Sequence, residues 1–76
     1  MGALIFFDEE VTANDNKGNR SKCQVEVVDN HGVPEVRIGS VGAAYTGSIA
    51  EFDNKEQFEN FVDAVNDLHQ RLYSNN

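Results

Sequence analysis

The sequence predicts an α+β domain, a four-stranded antiparallel sheet followed by one C-terminal amphipathic helix packed on one face. Three observations lead there. Strand-like segments fill the first two thirds of the chain, and Asn, Asp and Gly clusters separate them. The only long run with helical periodicity, Phe52 to Leu72, comes last. At 76 residues the chain fits a single small domain spanning 1–76.

The first strand is ALIFFDEEV, Ala3 to Val11, apolar on both sides through Leu4 and Phe6 on one and Ile5 and Phe7 on the other. TANDNKGNRS, Thr12 to Ser21, is rich in residues that tolerate turn conformations and is expected to be a polar loop. KCQVEVVD, Lys22 to Asp29, alternates, with Cys23, Val25 and Val27 opposed to Gln24 and Glu26, and DNHG closes a hairpin. In VPEVRIGS, Val36 and Ile38 are expected to face in while Glu35 and Arg37 face out, with Pro34 at the strand start. AYTGSIAEF, Ala44 to Phe52, is a weaker fourth strand interrupted by Gly47.

Helix capping is expected at Asp53, with Glu56 three residues on as in a capping box. Phe58, Phe61, Val62, Val65, Leu68 and Leu72 form the apolar stripe that would lie on the sheet. One helix covers one face, and the first strand is apolar on two. A homodimer interface through Leu4 and Phe6 is the economical cover for the second face. The alternative cover is the Thr12 to Ser21 loop of the same chain.

Thirteen acidic against six basic side chains give a net charge of −7, which disfavours phosphate backbones and anionic membranes as ligands. Cys23 is the lone cysteine, so no internal disulfide is possible, which fits a reducing compartment. MGALIFFDEE lacks a basic leader region, and no segment reaches the length of a membrane span, so a cytoplasmic protein without membrane association is expected.

The helix carries Glu56, Glu59, Asp63 and Asp67, which fall within about 80° of one another at about 100° per residue, opposite the apolar stripe. Such a file is commonly a solvated face. It can also stand in for a row of phosphates, with Asp8, Glu9 and Glu10 extending it, and so engage a basic surface of another protein. The corresponding expectation is a non-enzymatic acidic interaction protein of the kind phages use as inhibitors, a nucleic-acid mimic that occupies a partner's nucleic-acid-binding surface.

The sequence suggests no catalytic residue, cofactor or metal site. Cys23 lies on the apolar side of its strand, His31 in a turn and His69 on the apolar side of the helix, with no positioned base for a nucleophile. ANDNKGN has the composition of a calcium loop, yet Ala13 stands where the spacing from Gly18 requires an acid. Asn19-Arg20-Ser21 is a glycosylation sequon that matters only in a secreted protein.

Lys17, Arg20 and Lys22 form the one basic cluster and support an alternative, a single-stranded nucleic-acid-binding domain that uses this loop. With GSIAEFDNKEQF joining the last strand to the helix, the stretch from about Lys22 to Leu68 resembles the single-stranded-DNA-binding transcriptional coactivator domains. That resemblance implies nucleic-acid binding on the sheet. The chain departs from the pattern there, offering Gln24, Glu26, Glu35 and a lone Arg37 where basic and aromatic side chains belong.

Overall fold

The computed structural model describes residues 2–74. Strands β1 (Leu4–Asn14), β2 (Arg20–Asn30), β3 (Val33–Ser40) and β4 (Ala43–Glu51) form one antiparallel sheet in sequence order, and helix α1 (Lys55–Tyr73) follows. The α+β arrangement is the one expected from the sequence.

Turn chemistry sets the register. His31 and Gly32 both adopt positive φ, at 55° and 90°, as the two-residue turn between Asn30 and Val33 requires, and Asp29 accepts a hydrogen bond from the Gly32 amide at 2.6 Å. The β1–β2 hairpin is longer than expected. Thr12, Ala13 and Asn14 pair with Lys22, Ser21 and Arg20, so the polar loop shrinks to Asp15–Asn19. Asn14 and Asp15 fold that tip by accepting backbone N–H groups of Asn16, Lys17 and Asn19. The tip lies at the opposite end of β1 from Leu4 and cannot cover it.

Directly opposed residues share a face, which assigns the two sides of the sheet. One side carries Leu4, Phe7, Val11, Val25, Val27, Val36 and Ile38; the other carries Asp8, Glu10, Gln24, Glu26, Val28, Glu35 and Arg37. A bulge between Ile5 and Phe7 corrects the expected division of β1. Beyond that irregularity Phe7 falls on the side of Leu4 rather than of Ile5, because an extra residue reverses the alternation.

The enclosed centre sits on the polar side. Val28 is 1% exposed and Glu35 is 2% exposed, while Ile38 is 49% exposed. This reverses the expected orientation of β3: Glu35 is in and Ile38 is out. Alternation divides the residues between faces correctly, but the least exposed of these paired residues, Val28 and Glu35, lie on the side bearing the long polar side chains. Gly47 is a packing requirement rather than a weakness. A methyl group there would overlap the Ile38 carbonyl oxygen and lie 2.7 Å from the Gly39 Cα, so β3 and β4 approach too closely for any side chain.

The helix cap falls one residue beyond the expected Asp53. Asn54 accepts a hydrogen bond from the Gln57 amide at 2.8 Å, and the Gln57 side chain accepts from the Asp53 N–H at 2.7 Å. Asn at the cap satisfies one helix-start donor and Gln three residues on reaches back to the N–H of the residue before the cap, which Asp53 with Glu56 does not do.

The helix also departs from the expected packing. It meets the sheet only near its start, where the Phe58 and Phe61 rings pack on Phe52 at centroid distances of 5.2 and 5.1 Å. None of its residues is buried, and the apolar stripe becomes more exposed along its length, from Phe61 at 40% to Leu72 at 61%. The radius of gyration is 14.3 Å, against about 11 Å for a compact chain of this length. The helix projects away from the sheet rather than lying across it.

Candidate functional site: the acidic surfaces

On the polar face of the sheet, Asp8 and Glu10 of β1, Glu26 of β2, Glu35 of β3 and Glu51 of β4 surround Arg37. Asp8 stands directly opposite Glu26, and Glu35 directly opposite Glu51. Like charges oppose sheet formation in the Asp8–Glu26 pair, whereas Glu51 hydrogen-bonds to Glu35. The face is held together by specific bonds. Arg37 donates to Glu35 through Nε and Nη2 at 3.1 and 3.0 Å and approaches Glu26 at 3.8 Å. Asn30 donates to the other Glu35 oxygen at 3.0 Å. Gln24 donates to Asp8 and accepts from the Gly42 amide at 2.5 Å, tying β1 to the β3–β4 turn.

Glu35 is the most constrained ionisable group. The Asn30 amide holds its carboxyl below the usual value of 4.5, with help from Arg37 and Glu51, and these together outweigh the opposing effect of burial. Alternation along β3 predicts an exposed Glu35, and the structure corrects this. The available signal was its spacing, with Asn30 on the adjoining strand and Arg37 two residues on, a donor set suited to a buried carboxylate.

Of the residues singled out as partner-binding, Asp8 and Glu10 lie on this face, whereas Glu9 opposes Val25 and points to the apolar side. All three are exposed. Glu56, Glu59, Asp63 and Asp67 are all exposed on the helix. Two of them have cationic neighbours one turn away. Lys55 lies 3.6 Å from Glu59 and Arg71 lies 3.1 Å from Asp67, so the file is partly neutralised at both ends. These pairs are exposed and contribute little to stability. Sheet and helix acids therefore lie on different elements, and of the sheet acids Asp8, Glu10 and Glu51 are the exposed ones.

The alternative cluster behaves differently. Arg20 and Lys22 lie on β2 and Lys17 at the hairpin tip, on a two-stranded arm beyond the reach of β3, which pairs with β2 only from Gln24 onward. Asp15 is the acid at that tip. Its carboxyl is held below the usual range, mainly by the Asn19 side-chain amide at 2.8 Å and then by the Lys17 backbone amide.

Cys23 is half-buried opposite Val11, and His69 packs on the Tyr73 ring at 5.3 Å. Among the described residues no group of three His, Cys, Asp or Glu side chains could hold a metal ion, and no helix is long and apolar enough to cross a membrane. No family model matches the chain, and neither a curated protein nor a solved structure matches it.

Proposed function

We propose that this protein is a non-enzymatic acidic interaction protein whose carboxylate surface occupies a basic, nucleic-acid-binding surface of a partner protein. The observation that carries this reading is the polar face of the sheet, where Asp8, Glu10 and Glu51 are exposed around the enclosed Glu26, Glu35 and Arg37. The Asp8–Glu26 cross-strand pair is acid against acid, an arrangement that opposes sheet formation and that sheet formation alone does not call for. A partner bearing lysine and arginine would relieve that repulsion on binding. The exposed helix acids Glu56 and Asp63 add a second patch for the same kind of partner.

The test is affinity capture from a host lysate followed by elution with a polyanion such as heparin. A basic nucleic-acid-binding protein should be retained, should be released by the polyanion, and should be lost with the Asp8→Lys/Glu10→Lys variant. Tight binding of single- or double-stranded DNA by the protein alone, in a mobility shift at low salt, would overturn the reading.

A second reading rests on the hairpin arm. Lys17, Arg20 and Lys22 project there, and the nearby Asp15 carboxylate is occupied by hydrogen bonds within its own turn. In that reading the arm contacts nucleic acid and the acidic faces are passive. Substituting the three cations should then abolish a mobility shift that the Asp8→Lys/Glu10→Lys variant retains or strengthens.

A further inference from the structure

We infer that the uncovered apolar surface is an interface with a second copy of this chain, in which the two helices pack antiparallel and the far half of each seats against the other's sheet. Apolar area and shape support this independently of the charge-based reading of function.

The surface is too large for a self-sufficient monomer. The chain exposes 6093 Å², whereas a compact protein of 8.4 kDa exposes roughly 4,600 Å². The excess, roughly 1,500 Å² per chain and roughly 3,000 Å² for a pair, falls in the range of obligate homodimers. It is also apolar where it matters. Leu4, Phe6, Val65, Leu68 and Leu72 are 48 to 73% exposed, and among the described residues only Val28 and Ala44 are buried apolar side chains. A chain with so small a core does not hold its fold alone.

The shape of the surface then specifies the occupant. Between the sheet and the first turns of α1 lies a groove of about 690 Å³ with apolar walls from Phe6, Val27, Pro34, Phe52 and Phe58. The most uncovered part of the stripe is at the other end of the same helix. In a two-fold interface, what one copy lacks the other must supply, and the distal stripe of one helix is the apolar ridge available for the groove of the other. Antiparallel helices satisfy this. They oppose the helix dipoles and bring Arg71, in the last turn, toward the acidic first turn at Glu56 of the second copy. Val65, midway along the stripe between Phe58 and Leu72, then falls at the two-fold axis facing its own counterpart.

Sedimentation equilibrium of the unmodified protein, together with disulfide trapping in a Cys23→Ser background, tests this. The expected results are a species of twice the chain mass at micromolar concentration, a thermal midpoint that rises with concentration, and ready oxidation of Val65→Cys to a covalent dimer while Asp63→Cys stays monomeric. A folded monomer persisting at tens of micromolar would overturn the inference. So would a dimer in which Val65→Cys fails to cross-link, or folding that occurs only with a different protein bound.

Discussion

Replacing Arg37 with Met should separate the two roles of the buried carboxylate network. The substitution keeps a long apolar stem and removes both donors that reach Glu35 at 3.0 and 3.1 Å, leaving a carboxylate 2% exposed with Asn30 as its remaining neutral donor. Removing one partner of a buried ion pair costs about 3 to 5 kcal/mol, and the retained Asn30 bond places this case near the lower end, about 3 kcal/mol at pH 7. That is roughly a hundredfold in the folding constant. The pH dependence has a definite sign. In the native protein the carboxyl is held below 4.5, so its contribution to stability is present above that value and is lost as pH falls through the depressed folded-state pKa. In the Arg37→Met variant the Asn30 bond remains but the lowering due to Arg37 is gone, so the carboxyl is held down less strongly and protonation on acidification relieves the poorly compensated charge. The deficit should therefore be largest at neutral pH and should shrink toward pH 4. Urea denaturation at fixed protein concentration, repeated across pH, measures this. Adding Glu35→Gln to the variant should recover part of the loss, since no bare charge then remains. A neutral-pH deficit below about 0.5 kcal/mol, or one that stays constant down to pH 4, would refute the assignment of Glu35 as a buried carboxylate that Arg37, after Asn30, helps to keep ionised.

Two further substitutions address the backbone. Gly47→Ala places a methyl group against the Ile38 carbonyl and the Gly39 Cα, both backbone, so no side chain can move aside; a loss of about 2 to 3 kcal/mol in urea denaturation is expected. Asn54→Ala removes the oxygen that accepts the Gln57 amide and should cost about 1 kcal/mol, while Asn54→Asp should be nearly neutral by thermal circular dichroism.

The strands and the helix were legible because their signals are local. Alternation in KCQVEVVD and the DNHG turn specify β2 and its hairpin regardless of what packs on them, and the stripe from Phe58 to Leu72 specifies α1 in the same way. What sequence pattern could not supply was which face is covered. Glu35 and Ile38 were sorted to opposite sides correctly but with inside and outside exchanged, because coverage depends on neighbours such as Asn30 and Arg37 across the sheet. The bulge at Ile5 and Phe7 has no glycine to announce it. For the candidate site, the acids were readable as residues but not as surfaces. Asp8, Glu9 and Glu10 are adjacent in sequence yet divide between two faces, and the i,i+4 partners Lys55 and Arg71 offset part of the charge that the helix carboxylates alone would suggest.

β1 lies at the side of the sheet, with no strand among the described residues paired to its outer edge. It begins with Leu4-Ile5-Phe6-Phe7, an uncharged stretch of strong strand formers, the kind of segment that recruits identical chains into stacked assemblies. Asp8, Glu9 and Glu10 follow at once and place carboxylates on both sides of that strand, so an incoming copy extending the sheet would set like charges against each other. The triplet thus acts as a gatekeeper against aggregation whatever else it binds. This bears on how its role can be probed. Reversal to lysine keeps the guard in place, whereas neutral substitutions remove it, and a variant neutralised at all three positions would precipitate before its binding could be measured.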